Sequence, residues 1–502
     1  MKWVIINSPK LRFWLNFDLV TRLLFIISIL CVVINSACKK EGLTTSSEDS
    51  ISFSTDTLYF DTVFSTVGSS TRKFSIYNTH NAPIKIKSLK LAGGSNSLFR
   101  LNVNGVPGTE FKDLEIRAKD SMWVFSDVTV DPQNTNIPFV VKDSIECSTN
   151  GNLQDVKLVA FGQNAVFHKP KAGDNSFYVD CDAIWTSDTP HVVYGIAVID
   201  SACSLTIEKG TKVYFHNNGA IVALSNASLK VEGTKEEPVT FEGDRLEPEF
   251  ENIAGQWQGI YLFPLSVDNE VDWAIIKNAR LGIQADTSNA AVSSNPTLTI
   301  RNSIIQNISS IGISGRGAWI EGTNCIFANC GNYCGAFSLG GKYDFKHCTF
   351  ANYAPQGFDG AALVLNNWFE DNNRNIIPRD LEQANFTNSI IYGTQTNEVV
   401  LSNDENGIFN YAFKNCLLRA NKSDTNYESE EFTNCVVNQD PNFVSEFGES
   451  FMIQETSAAK DIGDLSAVNN DLLNLENDLN MNARTLDGKP DAGAYEYTTL
   501  EE

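Results

Sequence analysis

Short runs of alternating apolar and polar residues recur through the last two thirds of the chain. Three of them share the pattern apolar-x-apolar-x-Asn/His-small, namely Leu298–Ser303, Tyr343–Cys348 and Tyr411–Cys416. Strict alternation over about 4–8 residues predicts a β-strand with one buried face. We therefore expect this region to be all-β and built from many short strands.

The small residue of this pattern returns at a nearly regular interval. It is Ser303, Cys325, Cys348, Ser389, Cys416 and Cys435, and the steps between them are 22, 23, 41, 27 and 19 residues. A period in the low twenties with one double step is typical of a solenoid whose coils stack on one another. The Leu-x-x-Leu-x-Leu pattern of leucine-rich repeats is absent, so the period predicts a parallel β-helix.

Each small residue follows a polar residue, which is Asn302, Asn324, His347, Asn388, Asn415 or Asn434. A buried Asn at a turn can bond its own backbone and the Asn of the next coil, and His347 can do the same. Cys and Ser interchange at the following position because it favours a small, weakly polar, buried side chain. We predict that both positions form ladders along the axis.

Other elements flank these coils. Ile207–Val213 reads I-x-x-G-T-x-V, Gly233–Phe241 reads G-T-x-x-x-P-V-x-F, and Gly255–Ile260 reads G-x-W-x-G-I. With Asp440–Phe443 and Gly488–Tyr497, they resemble the opening coils and closing segment of right-handed parallel β-helix proteins of bacterial surfaces. The resemblance covers about residues 178–498 and implies a pectin lyase-like fold over 178–502 with a C-terminal cap. It implies little about activity, because these elements form coils and caps.

Residues 51–165 show a different spacing of strand-like runs. Thr57–Phe60, Arg72–Tyr77 and Val156–Ala160 alternate apolar and polar residues, and turn signals separate runs about ten residues apart. This spacing predicts a β-sandwich and resembles the Ig-like modules that precede bacterial surface repeats. Residues 166–177 are expected to link this β-sandwich to the parallel β-helix.

The N-terminus has the pattern of an export signal. A basic leader precedes the apolar run Leu23–Ala37, and Ser36 and Ala37 stand directly before Cys38. This end resembles a bacterial lipobox, although Asn35 stands where Leu is usual. The resemblance implies a signal peptide over 1–37, lipidation of Cys38 and a flexible tether over 38–50. Simple cleavage after Ala37 and an uncleaved anchor remain alternatives.

The whole chain thus resembles an exported lipoprotein of the Bacteroides kind, held at the outer membrane by its lipid and facing either the periplasm or the cell surface. It has 502 residues, with 38 Lys and Arg against 61 Asp and Glu, and a formal net charge of −23. Nucleic-acid binding needs a surplus of Lys and Arg on some face, so this class of partner is excluded.

The 11 Cys do not predict a disulfide scaffold. Four of them, Cys325, Cys348, Cys416 and Cys435, occupy the repeated position where Ser also occurs, and a disulfide network does not tolerate that exchange. Cys330 and Cys334 form a pair whose bridging remains open. No set of ligands repeats with zinc spacing, and we predict no metal and no cofactor.

The sequence offers no recognisable catalytic constellation. Asp344 and Lys346 alternate with Phe345, but no stack of carboxylates or cations repeats across coils. Trp368, Asp371 and Arg374 lie in the longest interruption of the repeat, residues 351–385, and are candidate glycan contacts because an exposed Trp beside mixed charge suits a sugar.

Two classes of function remain. The first is a non-catalytic envelope protein whose β-helix binds a glycan or another envelope protein, in adhesion or assembly. The second is a polysaccharide lyase or glycoside hydrolase acting on an acidic glycan in a groove of the helix. A carboxylate or cation cluster along one groove would favour the enzyme, and an aromatic groove without one would favour binding.

Overall fold

The computed structural model describes residues 42–132, 139–286, 295–354, 360–421, 426–446, 450–468, 475–485 and 487–499. The chain divides into two compact units. The first contains residues 42–60, 67–130 and 140–160, and the second contains the described residues from 161 onward with short segments near 61–66 and 131–139. Cys38 and the predicted signal peptide lie outside the described residues.

The first unit is built on two five-stranded sheets. One has the strand order Ser52–Phe53, Arg72–Tyr77, Ser121–Val128, Phe99–Val103 and Val106–Gly108. The other has the order Thr57–Phe64, Asn152–Gln163, Phe139–Thr149, Ile84–Leu91 and Glu110–Ile116. Alternate side chains such as Ile76, Val124 and Ile86 are fully buried, as expected for strands with one face toward a core.

Part of the predicted tether also contacts this unit. The backbone N–H of Thr44 donates to the carbonyl of Pro83 at 2.9 Å, and the side-chain amide of Asn150 donates to the carbonyl of Asp49 at 3.1 Å. Residues 44–50 therefore run along the first unit.

The second unit consists of three long parallel sheets, which we call sheets I, II and III. Within the described residues they contain 11, 9 and 10 strands. Sheet I contains Val166–His168, His191–Val193, Lys212–Phe215, Val239–Gly243, Ala274–Lys277, Ile304–Ile308, Ile326–Cys330, Thr349–Asn352, Ile390–Gly393, Leu417–Leu418 and Val436–Val437. Sheet II contains Ser176–Tyr178, Ile196–Ile199, Ala220–Ala223, Gly259–Leu262, Leu281–Asp286, Ile311–Arg316, Tyr333–Ser338, Leu363–Asn366 and Val399–Ser402. Sheet III contains Ala183–Trp185, Ser204–Glu208, Ser228–Glu232, Asn269–Asp272, Leu298–Arg301, Trp319–Thr323, Gly341–Lys346, Leu381–Thr387, Ala412–Lys414 and Phe432–Thr433.

From Val166–His168 to Ala412–Lys414, successive strands of these sheets visit sheets I, II and III in turn, so each of these coils adds one strand to each sheet. This arrangement is consistent with the predicted parallel β-helix and confirms the all-β class. Val166–His168 and Ser176–Tyr178 already pair with the strands of the next coil. The coils thus begin inside the segment 166–177 that the sequence pattern assigns to a linker.

Inward-facing side chains stack from coil to coil and form the core. Phe345, Phe386, Phe413 and Phe432 occupy one register position of sheet III. Their rings are nearly parallel, with centroids 5.6, 5.0 and 5.2 Å apart along the stack. Such a column buries a large apolar area, and its spacing follows from that of the strands.

The predicted Asn ladder is present at the turn between sheets III and I. All six ladder residues have positive φ, between 49° and 55°, a region that Asn and His enter more readily than most residues. The amide of Asn324 donates to Asn302 Oδ1 at 3.1 Å, and Asn388 Nδ2 lies 2.9 Å from His347 Nε2. The bond between ladder residues of neighbouring coils is thereby confirmed for these two pairs.

The small residues after the ladder share one hydrogen bond. Each hydroxyl or thiol donates to the carbonyl two residues earlier, at 2.6 Å for Ser303, 2.9 Å for Ser389 and 3.1 Å for Cys325. The same bond forms at Cys348, Cys416 and Cys435. Ser and Cys interchange because both are small and both can donate to this carbonyl.

The closing segment lies along the side of the coils. Phe443, Phe451 and Leu479 pack on the outer face of sheet I, against residues such as Ile326 and Leu417. This segment includes the antiparallel pair Phe443–Ser445 and Ser450–Ile453 and the short α-helix Leu465–Val468. The predicted cap is therefore a lateral cover.

The remaining helical segments are short. Gly94–Asn96 and Pro248–Phe250 are 3-10 turns, and no helix among the described residues is long and apolar enough to cross a membrane.

The interpretation of the cysteines missed one disulfide. Cys181 and Cys203 are bonded, with their Cα atoms 4.9 Å apart and a sequence separation of 22, and they join the first two coils. Neither belongs to the Ser/Cys repeat, so the exchange argument did not apply to them. The seven other Cys of the described part of the chain, including Cys330 and Cys334, are free thiols.

Candidate functional site

A groove of about 900 Å³ runs along the outer face of sheet II over the opening coils. Val222, Tyr261 and Gln284 occupy one register position on neighbouring strands and line its floor. Successive side chains of a strand point to opposite faces, and Ile221 and Ile260 beside them are fully buried in the core. The same alternation that builds the core thus aligns these outer side chains. The volume is in the range of ligand pockets, about 300–1,000 Å³.

Two aromatic rings lie in the groove. The hydroxyl of Tyr261 donates to the carbonyl of Gln258 at 3.1 Å, which fixes the ring in place. Phe263 lies two residues after Tyr261, lines the same groove and is 40% exposed. Rings with an accessible face are suited to the apolar C–H faces of a sugar, and a fixed ring loses little conformational entropy on binding.

Amide side chains supply most of the polar groups. Gln258 donates to Asn218 Oδ1 at 3.0 Å, and Gln284 donates to Asp286 Oδ1 at 3.0 Å. Each amide has two N–H donors and one carbonyl acceptor, and each of these glutamines uses one donor in these bonds. Such paired donors and acceptors match the hydroxyl groups of a carbohydrate.

The charged residues that line the groove are Asp174, Asp286 and Arg316. Arg316 and Asp286 are register partners, and Arg316 Nη1 lies 3.5 Å from Asp286 Oδ1. Burial raises the pKa of Asp286, and the Arg316 charge and the Gln284 hydrogen bond oppose this rise. The charges nearly balance, so the described lining has no surplus of cations to offset an acidic polymer.

Next to the groove lie two turns that each follow a strand of sheet I. Asn217 and Asn218 line the groove, and His216 directly precedes them. His216 Nδ1 lies 2.7 Å from Asp244 Oδ2, and the imidazole stacks on Tyr194 with centroids 4.5 Å apart. Burial raises the pKa of Asp244, and the hydrogen bond with His216 opposes this rise.

An imidazole held by a carboxylate is the arrangement of a general base. The sequence does not mark this pair, because its five His are widely separated along the chain and form no motif. Aligning the turns of successive coils would have found it, since His216 and Asp244 each follow a strand of sheet I.

Trp368, Asp371 and Arg374 lie together in a hairpin formed by Trp368–Glu370 and Ile376–Pro378. The indole N–H of Trp368 donates to Ser402 Oγ at 3.0 Å. Asp371 accepts the backbone N–H groups of Asn373 and Asn375 at 2.8 and 2.9 Å and so organises the turn, while Arg374 is exposed. None of the three lines the groove, and their role as glycan contacts stays a prediction.

The carboxylates considered from sequence do not assemble into a centre. Asp344 pairs with Lys346 at 3.1 Å on the outer face of sheet III, on the opposite side from the buried Phe345. Across the described ranges, no group of three or more His, Cys, Asp or Glu side chains could hold a metal ion.

Comparisons with known proteins add little. No family model matches the chain, and no curated protein matches it. Among solved structures, the chain is similar to the catalytic domain of a GH87 α-1,3-glucanase, at 10% identity over 68% of this chain and 90% of that chain, with a TM-score of 0.18. A family 123 glycoside hydrolase from Clostridium perfringens matches at 12% identity over 27% of this chain, with a TM-score of 0.20.

A protein of unknown function from Porphyromonas gingivalis W83 matches at 10% identity over 27% of this chain and 57% of its own, with a TM-score of 0.17. The chain spans only 30% of the C. perfringens enzyme. At such TM-scores these similarities support no conclusion about fold or function.

Proposed function

We propose that this protein is a lipid-anchored component of a bacterial cell envelope that binds an uncharged glycan in the groove of sheet II without cleaving it. In this proposal Cys38 carries the lipid, the first unit is an Ig-like sandwich, and the coils form a right-handed parallel β-helix. The observation that carries the binding role is the groove itself, because Tyr261 and Gln284 lie in register on one face and Phe263, Gln258 and Asn218 line the same groove.

The balance of charge favours an uncharged ligand. Asp174 and Asp286 outnumber Arg316 in the groove, and the whole chain has a formal net charge of −23. An acidic polymer would be repelled at long range and would meet one paired cation at short range. A neutral polysaccharide needs only stacking surface and hydrogen-bonding partners, which Tyr261, Phe263 and the amides supply.

The groove is tested by retention of the purified protein in affinity gels that contain neutral or acidic polysaccharides. Tyr261→Ala should weaken retention by a neutral polysaccharide at least about fivefold, since one stacked ring is worth about 1 kcal/mol. Tyr59→Ala is the matched control, because Tyr59 is 61% exposed and lies in the other unit. Equal retention of the two variants and the unaltered protein would refute the groove as the binding site.

The anchor has its own test. Cells expressing the unaltered protein should hold it in the membrane fraction with a lipid-modified N-terminal Cys38, and Cys38→Ala should remove both the lipid mass and the membrane association. A protein that stays membrane-bound after this substitution would contradict the lipid anchor and favour an uncleaved segment.

The second candidate is a polysaccharide lyase or glycoside hydrolase, and the His216–Asp244 pair favours it. A base held by a carboxylate beside a groove can accept a proton from a bound sugar. If the protein is such an enzyme, His216→Gln should abolish its turnover of the polysaccharide. Binding without turnover would show that His216 and Asp244 support the turns in which they lie and do not act as a catalytic pair.

A further inference from the structure

Cys416 and Cys435 occupy the small-residue position in the last two coils of the described chain. The residues on either side of them pair in register, Lys414 with Thr433 and Leu417 with Val436. Neighbouring strands lie about 4.8 Å apart. That spacing falls within the range of about 4.4–6.8 Å between the Cα atoms of disulfide-bonded cysteines.

The two thiols also face the same way. Cys416 Sγ lies 3.3 Å from the carbonyl oxygen of Phe386, and Cys435 Sγ lies 3.3 Å from that of Phe413, so each thiol contacts the carbonyl of the preceding coil. The register of the flanking residues places the two cysteines next to each other on neighbouring coils. Cys416 is fully buried, whereas Cys435 is partly exposed. Of the two, Cys435 is therefore the more accessible to a reagent in solution.

Their surroundings divide the chemical roles. The neighbouring Cys416 side chain lowers the pKa of the Cys435 thiol, and burial raises the pKa of the Cys416 thiol. The thiolate is the attacking species in disulfide exchange, so Cys435 is suited to react first and Cys416 to resolve the adduct.

The opposite end of the solenoid already has such a bond. Cys181–Cys203 joins the first coil to the second. A terminal coil packs against a neighbour on one side only, so it opens more easily than a central coil. Ser303 and Ser389 exclude a disulfide network through all coils, but Cys416 and Cys435 are consecutive in the ladder. We propose that these two form a second disulfide between coils, which fastens the last coil as Cys181–Cys203 fastens the first.

The bond forms by exchange with a small-molecule disulfide such as glutathione disulfide. The Cys435 thiolate attacks one sulfur of that disulfide, the S–S bond breaks, and one glutathione thiolate leaves and takes up a proton. Cys416 then loses its proton and attacks Cys435 Sγ in the mixed disulfide, which releases the second glutathione. Two cysteine thiols are oxidised and one glutathione disulfide is reduced to two glutathione molecules.

The central pair Cys325 and Cys348 provides an internal control. They occupy the same position on neighbouring coils, but both are fully buried. The purified full chain is incubated with glutathione disulfide, alkylated in denaturant and digested without reduction. The expected product is a cross-linked peptide containing Cys416 and Cys435, lighter by about 2 Da than the two thiol peptides together, with Cys325 and Cys348 alkylated. Recovery of Cys416 and Cys435 as alkylated thiols would overturn the proposal.

Single substitutions separate the two roles. Cys416→Ser should fold, because Ser occupies this position at Ser303 and Ser389, and should retain a glutathione adduct on Cys435. Cys435→Ser should leave Cys416 unmodified. A stable glutathione adduct on Cys435 of the unaltered protein would also contradict the proposal, since it would show that Cys416 does not resolve it.

Discussion

The guanidinium of Arg484 lies 2.7 Å from the side-chain oxygen of Asn324, which precedes it by 160 residues. Arg484 is fully buried, and its Nη1 lies 2.6 Å from Glu496 Oε1. The lateral cover is therefore joined to the Asn ladder by a buried charge. Other ladder residues bond the same segment, because Asn388 donates to the carbonyl of Asp464 and Asn415 to that of Ile462.

Arg484→Met should destabilise the second unit strongly. The substitution leaves the Glu496 carboxyl buried without its cation, and breaking a buried pair in this way costs about 3–5 kcal/mol. Urea unfolding followed by circular dichroism measures the loss. Arg374→Met, at an exposed position, should change the free energy of unfolding by less than about 0.5 kcal/mol. Similar effects of the two variants would show that the buried pair contributes little.

Substitutions at Cys325 test the shared hydrogen bond of the small-residue ladder. Cys325→Ser retains a donor for the carbonyl of Thr323 and changes the volume little, so the loss in unfolding free energy should stay below about 1.5 kcal/mol. Cys325→Leu removes the donor and overfills a fully buried position, and it should cost more, about 1–3 kcal/mol or above. The ladder interpretation is wrong if the Leu variant is as stable as the Ser variant.

Glu398 gives the fold a dependence on pH. It is fully buried and accepts the N–H groups of Ala362 and Gln395 at 2.6 Å each. Burial raises its pKa from the ordinary value of 4.5 to about 7, against the opposing effect of these hydrogen bonds. The folded state therefore binds more protons than the unfolded state, so its contribution is present below about pH 4.5 and is lost as the pH rises through about 7.

Glu398→Gln should remove this dependence, because the amide does not titrate. Ala362 and Gln395 donate to different oxygens of Glu398, so the single amide oxygen keeps one of these two bonds and the variant should be less stable by a similar amount at every pH. Between about pH 5 and about pH 8 the unaltered protein should lose about 1–3 kcal/mol more stability than the variant. Glu405→Gln, at an exposed position, is the control and should follow the unaltered protein. Parallel stability curves for Glu398→Gln and the unaltered protein would rule out Glu398 as the source.

The disulfide at the start of the solenoid should protect its first coil. Replacing both Cys181 and Cys203 by Ser should cost about 2–4 kcal/mol and speed amide hydrogen exchange in Val166–His168 and Ser176–Tyr178 more than in the central coils. Equal effects in all coils would argue that the bond acts on the whole unit.

The repeat was predictable because the coil imposes it on the sequence. Stacked strands need side chains that alternate between the core and the outer face. The turn after the strand needs a residue that tolerates positive φ, such as Asn302, and the next position needs a small donor, such as Ser303. The groove was not predictable, since Tyr261 and Gln284 meet only when the strands align in register. The Cys181–Cys203 bond was missed because no repeated pattern marks it.

The hairpin illustrates a further limit of the sequence. Trp368 and Asp371 suggested a binding loop by composition, but the structure shows that the indole N–H bonds Ser402 and the carboxylate organises its own turn. Polar side chains near a loop tip serve the turn as readily as a ligand, and only geometry separates the two uses.

Retention and turnover measured together on the same neutral polysaccharide distinguish a protein that only binds a glycan from one that cleaves it. The purified protein is held with the polysaccharide, and bound protein, new reducing ends and unsaturated uronate absorbance are followed with time, in parallel with an acidic polysaccharide. We expect the neutral polymer to retain the protein, Tyr261→Ala to weaken this retention, and neither polymer to gain new ends. Turnover that disappears in His216→Gln, or retention by the acidic polymer alone, would contradict this expectation.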